Sequence, residues 1–468
     1  MPRLRTKIDS LIKLFMSKSI KIKKGFDIPL AGKAAMQTAE IAQPETFAIK
    51  PTDFHGMLRP KPMVAQGDNV KAGTPILFDG KNESVMYTAP VSGEIVEVKR
   101  GAKRKLLEIV ILADKTMEYE SFATHTISNL GDLSRESCQE AMLKSGVWPN
   151  IVQRPYGIIA DHEATPKAIF ISAFDSSPLA ADYAYILKDE DKYFEAGVAI
   201  LNKFTNKVHL GVDKNAEVSS LFSNVKGVQQ NEFSGAHPAG NVGVQIHHID
   251  PINKGDIVWT ISPVGVVQIG KLFLEGKYDA SRTIALTGSE VKNPQYYKTY
   301  TGACIGRFIA DNLKSDHVRV IGGNILTGEQ LNSKGHLGFF DNQITVIPEG
   351  DYHEFLGWIT PTTKKLSVHR AFGLLSSFFP KKEYVLDTNF HGEERAFVQT
   401  GTFEKVMPMD ILPMFLIKAI MVEDFEEMEA LGIYEVIEED VALCEFVDLS
   451  KHDIQAMLRQ GLDLIQYS

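Results

Sequence analysis

The sequence predicts a multidomain α/β protein, and three observations carry that expectation. The chain has 468 residues, which corresponds to about three to four ordinary domains. Its pattern changes along the way. Short glycine-punctuated strands fill 61–113, strands alternate with helices from 121, strands return over 282–350, and the remainder is mostly helical. Hydrophobic residues make up 44% and charged residues 23%, enough for sizeable cores. No run of ~18 apolar residues is present that would cross a bilayer.

In order, Val64–Val70, Pro75–Phe78, Ser84–Tyr87, Glu94–Val98 and Leu106–Ile111 read as strands of a small sandwich or barrel. Glu94 and Glu97 can reach solvent while Val96 and Val98 share a face, an imperfect alternation. Leu133–Ser145 reads as a helix with Ser134 as its N-cap. Ala168–Ala173 and Lys207–Val212 are short apolar runs of the buried parallel kind, and Tyr183–Gly197 is a helix between them. Asp256–Ile261 followed by Val264–Gly276 repeats strand then helix. Thr283–Leu286, Val318–Ile321 and Gln343–Ile347 are strands, with a helix over Ile305–Leu313. Ile411–Met421, Glu423–Gly432 and Asp453–Ile465 complete the chain as helical segments.

Lys plus Arg number 50 against 59 Asp plus Glu, a net charge of −9, which argues against nucleic-acid binding. Three distant cysteines, Cys138, Cys304 and Cys444, support neither a disulfide framework nor a Cys-rich metal site, and fit a reducing compartment. Residues 1–24 differ, with eight Lys and Arg against Asp9. They lack a secretory signal's apolar stretch and cleavage site. A basic amphipathic helix there could lie on an anionic membrane. The plainer expectation is a solvated terminus, or a start at Met16.

Gln66–Gly73 and Ala89-Pro90-Val91-Ser92-Gly93-Glu94-Ile95 resemble the biotinyl/lipoyl domain family. The position of the carrier lysine holds Asn82, with Lys81 beside it and no flanking methionine, so the expectation is a structural module. The order of parts resembles the electron-input subunit of Rnf complexes and, more distantly, the flavin subunit of respiratory complex I. That likeness implies an FMN cradle over Ser145–Gly157. Only Gly146 and Gly157 remain there, while Trp148, Pro149 and Pro155 add bulk or remove donors. Ala173–Asp182 keeps an acidic loop. The same relatives carry C-x2-C-x2-C-x3-C in a helical domain. The four positions here are Glu438, Val441, Cys444 and Asp448, so one thiol survives. Glu423, Asp424, Glu426, Glu427, Glu429, Glu438, Glu439 and Asp440 are expected to form a solvated acidic face rather than a cation site.

A chain with this architecture and none of those sites is similar to the NqrA family of the sodium-translocating NADH:quinone reductases. Ile20–Gly32, His237-Pro238-Ala239-Gly240, Ile246-His247, Asp250-Pro251, Ile269–Phe273 and Val291–Pro294 carry the resemblance. So do Phe355–Trp358, His391–Ala396 and Val406–Asp410. Met1–Lys18 and Asp448 depart from the family pattern. The resemblance implies a basic extension over 1–18, an N-terminal segment over 19–60 and a barrel-sandwich β domain over 61–120. A Rossmann-like α/β domain over 121–280, a β-grasp (SLBB-like) domain over 281–360 and a degenerate ferredoxin-like helical domain over 361–468 follow. It further implies a six-subunit complex that uses flavins, an iron–sulfur cluster, NADH and ubiquinone to export Na⁺. This chain would be a cofactor-free member of it, not catalytic by itself. The large integral-membrane subunit would hold it at the cytoplasmic face of the bacterial inner membrane. The alternative class is a stand-alone flavin or acyl-carrier oxidoreductase component.

Phe54, His55, Met57 and Arg59 are the candidate quinone-proximal residues: an apolar wall with a titratable group and a donor. The competing reading is a linker packed on the core. His237 is expected to make a turn or core contact. His247 and His248 lie on a strand-like segment, only one facing inward, without a third metal ligand. Trp358 is expected in the core. Met407, Met409, Met414 and Met421 cover either a partner surface or a buried helix.

Overall fold

The computed structural model describes residues 18–216, 220–223, 225–357, 363–366, 368, 382–390, 393, 395–398 and 401–468. Residues 1–17 and Trp358 lie outside them, as do His391, Gly392 and Glu394 of the His391–Ala396 motif.

The glycine-punctuated stretch forms two small facing sheets. One joins Thr46–Ile49, Leu106–Ala113, Gly93–Arg100 and Asn69–Val70, and the other Pro60–Pro62, Pro75–Asp79 and Asn82–Thr88. Of the expected strand Val64–Val70, only Asn69–Val70 pairs. The imperfect alternation after Gly93 is a β-bulge. Ile95 pairs with Ile111 and Glu97 with Val110, which leaves Val96 as the extra residue.

The central sheet has seven strands, ordered Ser19–Lys21, Gln229–Ser234, Val208–Asp213, Ala168–Ser172, Val258–Ile261, Val152–Arg154 and Ile158–Ile159. The first five run parallel and the last two form an antiparallel edge. Both faces are covered, which explains the uninterrupted apolar runs. Ile169, Ile171, Trp259 and Ile261 enter the core shared with the sandwich, while Ala168, Phe170 and Val258 enter a second core with the C-terminal helices.

Helix Arg135–Ser145 starts at Ser134, whose Oγ accepts the Ser137 N–H at 3.2 Å. Helix Pro263–Glu275 starts at Ser262 with Pro263 in its first turn and ends at Gly276, φ 64°. The expected single helix Tyr183–Gly197 is two, Tyr183–Ile186 and Asp191–Leu201. Between them Asp189 takes φ 69°, which no continuing helix can use. Asp191–Leu201 crosses Pro263–Glu275 with backbones almost touching. A Cβ on Gly270 would sit 1.8 Å from the Tyr193 carbonyl oxygen, and one on Gly197 2.1 Å from that of Val266. The expected helix Ile305–Leu313 shortens to Gly306–Ile309.

The fourth sheet is mixed: Glu329–Leu331, Val318–Gly322, Gln343–Pro348, Ser281–Thr287, Gln295–Tyr300 and Ala35–Ala39. Residues 19–49 therefore lend one strand to each of three sheets. Helices Pro413–Met421, Phe425–Ala430, Glu438–Val447 and Ile454–Tyr467 pack on the outer face of the parallel sheet. Met407, Met409 and Met414 are buried there, and only Met421 of the four methionines reaches the surface. Among the described residues no helix is long and apolar enough to cross a membrane.

Candidate functional site

The strand order reverses at Ala168–Ser172. The chain proceeds from it to Val208–Asp213 on one side and later to Val258–Ile261 on the other. Open α/β sheets bind ligands outside the carboxyl ends of strands at such a point. A cleft of about 220 Å³ lies there. Ser172, Phe174, Thr260 and Ile261 form its floor, Leu326 and Phe340 come from the fourth sheet's loops, and Glu439 and Ala442 from the helical domain.

The cleft is acidic. Asp175 is accessible through it, yet the surrounding protein pushes its carboxyl up, against an opposing hydrogen bond from the Ser177 N–H at 2.9 Å. Glu439 is pushed up to about 7 by desolvation, with the Arg154 guanidinium pulling the other way. Burial also raises the Tyr183 phenol, helped by the charges of Asp175 and Glu439. His237 is only 3% exposed, and burial lowers it to about 4, so it is neutral at pH 7. Among the described residues no Lys or Arg lines the cleft.

The glycine-poor loop explains why no phosphate cradle forms. Trp148 is completely buried, 5.5 Å from Trp259 and 5.7 Å from Phe204 between ring centroids, and its Nε1 donates to the Ala160 carbonyl at 2.8 Å. The indole thus packs this loop into the core. The nearest guanidinium, Arg154, is 1% exposed and donates to Asp440 Oδ2 at 2.6 Å and to Glu439 Oε1. The residues present do not fit FMN.

This network corrects the expected acidic face. Glu423, Asp424, Glu426 and Glu427 are exposed, but Glu438, Glu439 and Asp440 are not a solvated run. Asp440 is 2% exposed, and Glu438 is held by both nitrogens of the Arg459 fork. Val441, Cys444 and Asp448, the other positions aligned to the cluster motif, are also engaged. Val441 and Cys444 are in the core, and Asp448 accepts from the His452 N–H at 2.9 Å. Burial raises the Cys444 thiol, so it stays protonated and acts as a small apolar group. Replacing Cys444 by Ser is expected to leave turnover and iron content of the assembled complex within about twofold; elemental analysis and assay of the purified complex check this. Lys81 lies with its Nζ 5.4 Å from the Tyr467 ring, and its backbone N–H is fixed by Asp79. Intact-mass spectrometry is expected to find it unmodified.

Of the quinone-proximal candidates, Phe54 lies in an aromatic cluster with Tyr87, Phe339 and Phe340, at centroid distances of 4.5, 5.0 and 6.1 Å. It is 2% exposed, while Phe340 reaches the cleft. His55 faces outward 3.8 Å from Glu438, and desolvation on its protein side lowers its pKa. Met57 packs against the main core. Arg59 is exposed, its backbone N–H donating to Asp79 Oδ1 at 3.0 Å. The structure thus gathers the four residues on one turn but sends them to different surroundings. Arg459, which grips Glu438, also lines a groove of about 660 Å³ with Phe425, Leu464 and Tyr467.

His247 and His248 stand on a helix, Val242–Ile249, not a strand. His247 meets Glu435 at 2.8 Å and accepts from the Asp410 N–H at 3.1 Å, and His248 donates to the Val244 carbonyl at 2.8 Å. Both are half-buried, because helical neighbours do not alternate as strand neighbours do. Among the described residues no cluster could hold a metal ion. The acids of the cleft escape sequence reading because they come from distant segments; only the loop holding Asp175 carries a signal.

Fold and sites together define a class: an open, mostly parallel α/β sheet flanked by barrel-sandwich, mixed-sheet and helical units, with an acidic cleft at its strand-order reversal. Family models narrow this. The NqrA N-terminal barrel-sandwich hybrid domain matches residues 20–114, the NqrA second alpha/beta domain 133–278 and the NQRA C-terminal domain 283–333. The chain is 36% identical over 451 residues to the NqrA protein of the Na(+)-translocating NADH-quinone reductase of Alcanivorax borkumensis, covering 96% of this chain and 99% of that protein. The corresponding proteins of Neisseria meningitidis serogroup B and Hahella chejuensis are 38% and 39% identical over the same shares. The chain belongs to the NqrA family of Na(+)-translocating NADH-quinone reductase subunits.

Proposed function

We propose that this chain is the peripheral NqrA component of a complex that oxidises NADH, reduces ubiquinone to ubiquinol and exports Na⁺. It sits at the cytoplasmic face of the bacterial inner membrane, against the large integral-membrane subunit of a six-subunit complex. The flavins and the iron–sulfur cluster reside on its partners. The observation that carries this reading is the similarity to NqrA proteins along 96% of the chain. The filled FMN cradle and the engaged cluster positions fit a scaffold rather than an electron carrier. The domain divisions at 60, 120, 280 and 360 belong to the same reading. Membrane vesicles from cells lacking this chain should lose Na⁺-stimulated ubiquinone reduction by NADH and regain it when the chain is restored. Full activity without the chain would contradict the proposal.

The quinone end of the path, in this reading, lies beside residues 54–59. Phe54 anchors the turn in the core, Met57 supplies apolar wall, Arg59 a donor and His55 a titratable group. Support comes from the position of His55 next to Glu438 and Arg459, at the edge of the groove by the last helix. Replacing His55 by Ala is expected to lower quinone turnover by roughly 10²-fold, the scale of one acid–base group, with NADH oxidation by an artificial acceptor unchanged. A photoreactive quinone should label peptides from residues 50–60. Label confined to other subunits would exclude this segment.

A further inference from the structure

We propose that the cleft at the strand-order reversal binds a small organic cation, its primary ammonium group set between Asp175 and Glu439. The site is new to this scaffold, made where the residues have turned against a phosphate.

Charge is the first argument. The lining holds two carboxyl groups and a phenol, and no Lys or Arg among the described residues. Arg154, behind Glu439, is shared with fully buried Asp440, so it does not neutralise both acids and Asp175 as well. Two carboxyl groups facing one cleft favour a counter-charge or a shared proton. An ammonium ion supplies the charge and three N–H donors. A phosphate or carboxylate ligand would meet like charge, which costs binding.

The second argument is an unpartnered ring nitrogen. Ser176 Oγ accepts the Gly240 N–H at 2.8 Å and lies 3.1 Å from His237 Nδ1. That contact engages Nδ1 and leaves Nε2 as the second polar atom of the ring, donor or acceptor according to the tautomer. Nε2 is buried and has no hydrogen-bond partner among the described residues. A buried polar atom without a partner costs stability. His237 lines the cleft, so a ligand hydroxyl, which both donates and accepts, would complete it. The ligand class is therefore a short amine bearing a hydroxyl, with Phe174 and Leu326 covering its carbon atoms. The clustered acids would not make a metal site, since among the described residues no three ligands converge.

Ethanolammonium is the probe, with ethylene glycol as its neutral isostere and inorganic phosphate as the anion. Titrations use the full chain, followed by ligand-observed NMR. Ethanolammonium should bind at least tenfold more tightly than ethylene glycol, with no phosphate binding. Asp175→Asn should weaken it at least tenfold, and hydrogen exchange of the unaltered chain should show protection over 173–178 and 237–241 on binding. Equal affinity for the neutral isostere, binding of phosphate, or full displacement by equimolar Na⁺ would overturn the proposal. So would protection confined to other peptides, a test that does not depend on the variant folding.

Discussion

Replacing Arg154 by Ala is expected to destabilise the protein by about 3–5 kcal/mol, the cost of leaving a buried charge without its partner. Arg154 is almost wholly enclosed and bridges the penultimate strand Val152–Arg154 to the start of helix Glu438–Val447. Its removal strands Asp440, whose carboxylate also accepts the Ile437 N–H at 3.0 Å, and Glu439. The loss is directional: the helical domain should loosen from the sheet before the sheet itself melts. Urea denaturation should show the shift, and limited proteolysis should cut first near residues 435–440. Arg154→Lys is expected to recover only part, because an ammonium cannot serve two carboxylates with a planar fork. A variant as stable as the parent would show that the pair contributes nothing net.

Trp148→Ala is the second large effect, expected at about 3–5 kcal/mol for a buried aromatic whose site cannot collapse. The indole packs between Trp259 and Phe204 and gives up its N–H to Ala160. The variant also separates two reasons for the poor fit to FMN. Opening space alone should not restore FMN binding, because Asp175 and Glu439 still face the cleft. Added FMN is therefore expected to leave the melting temperature of Trp148→Ala unchanged. A clear upward shift would mean that bulk, not charge, closed the site.

Local chemistry is legible in the sequence. Ser134 as a cap and the apolar parallel strands need only neighbours a few residues away. Where a local cue is weak or a distant partner decides, residue patterns mislead. Asp189 breaks the helix after Tyr183 although nothing in its own side chain demands it. His247 and His248 suggest a strand because a short apolar run with two imidazoles has no clear period. Glu438, Glu439 and Asp440 resemble a solvated run because their cations, Arg459 and Arg154, lie 21 to 286 residues away. The cleft is invisible in the sequence for the same reason. Asp175, Tyr183, His237 and Glu439 meet only once the central sheet, the fourth-sheet loops and the last helices close on each other.

In the function proposed for it, this chain serves its reductase as a scaffold whose flavin and cluster positions are closed by Trp148, Arg154, Glu438 and Cys444. An absorbance spectrum of the purified full chain after gel filtration tests that role most directly. Protein absorbance alone is expected, with no visible flavin or iron–sulfur band co-eluting. A flavin band that stays with the chain in a fixed ratio would contradict it.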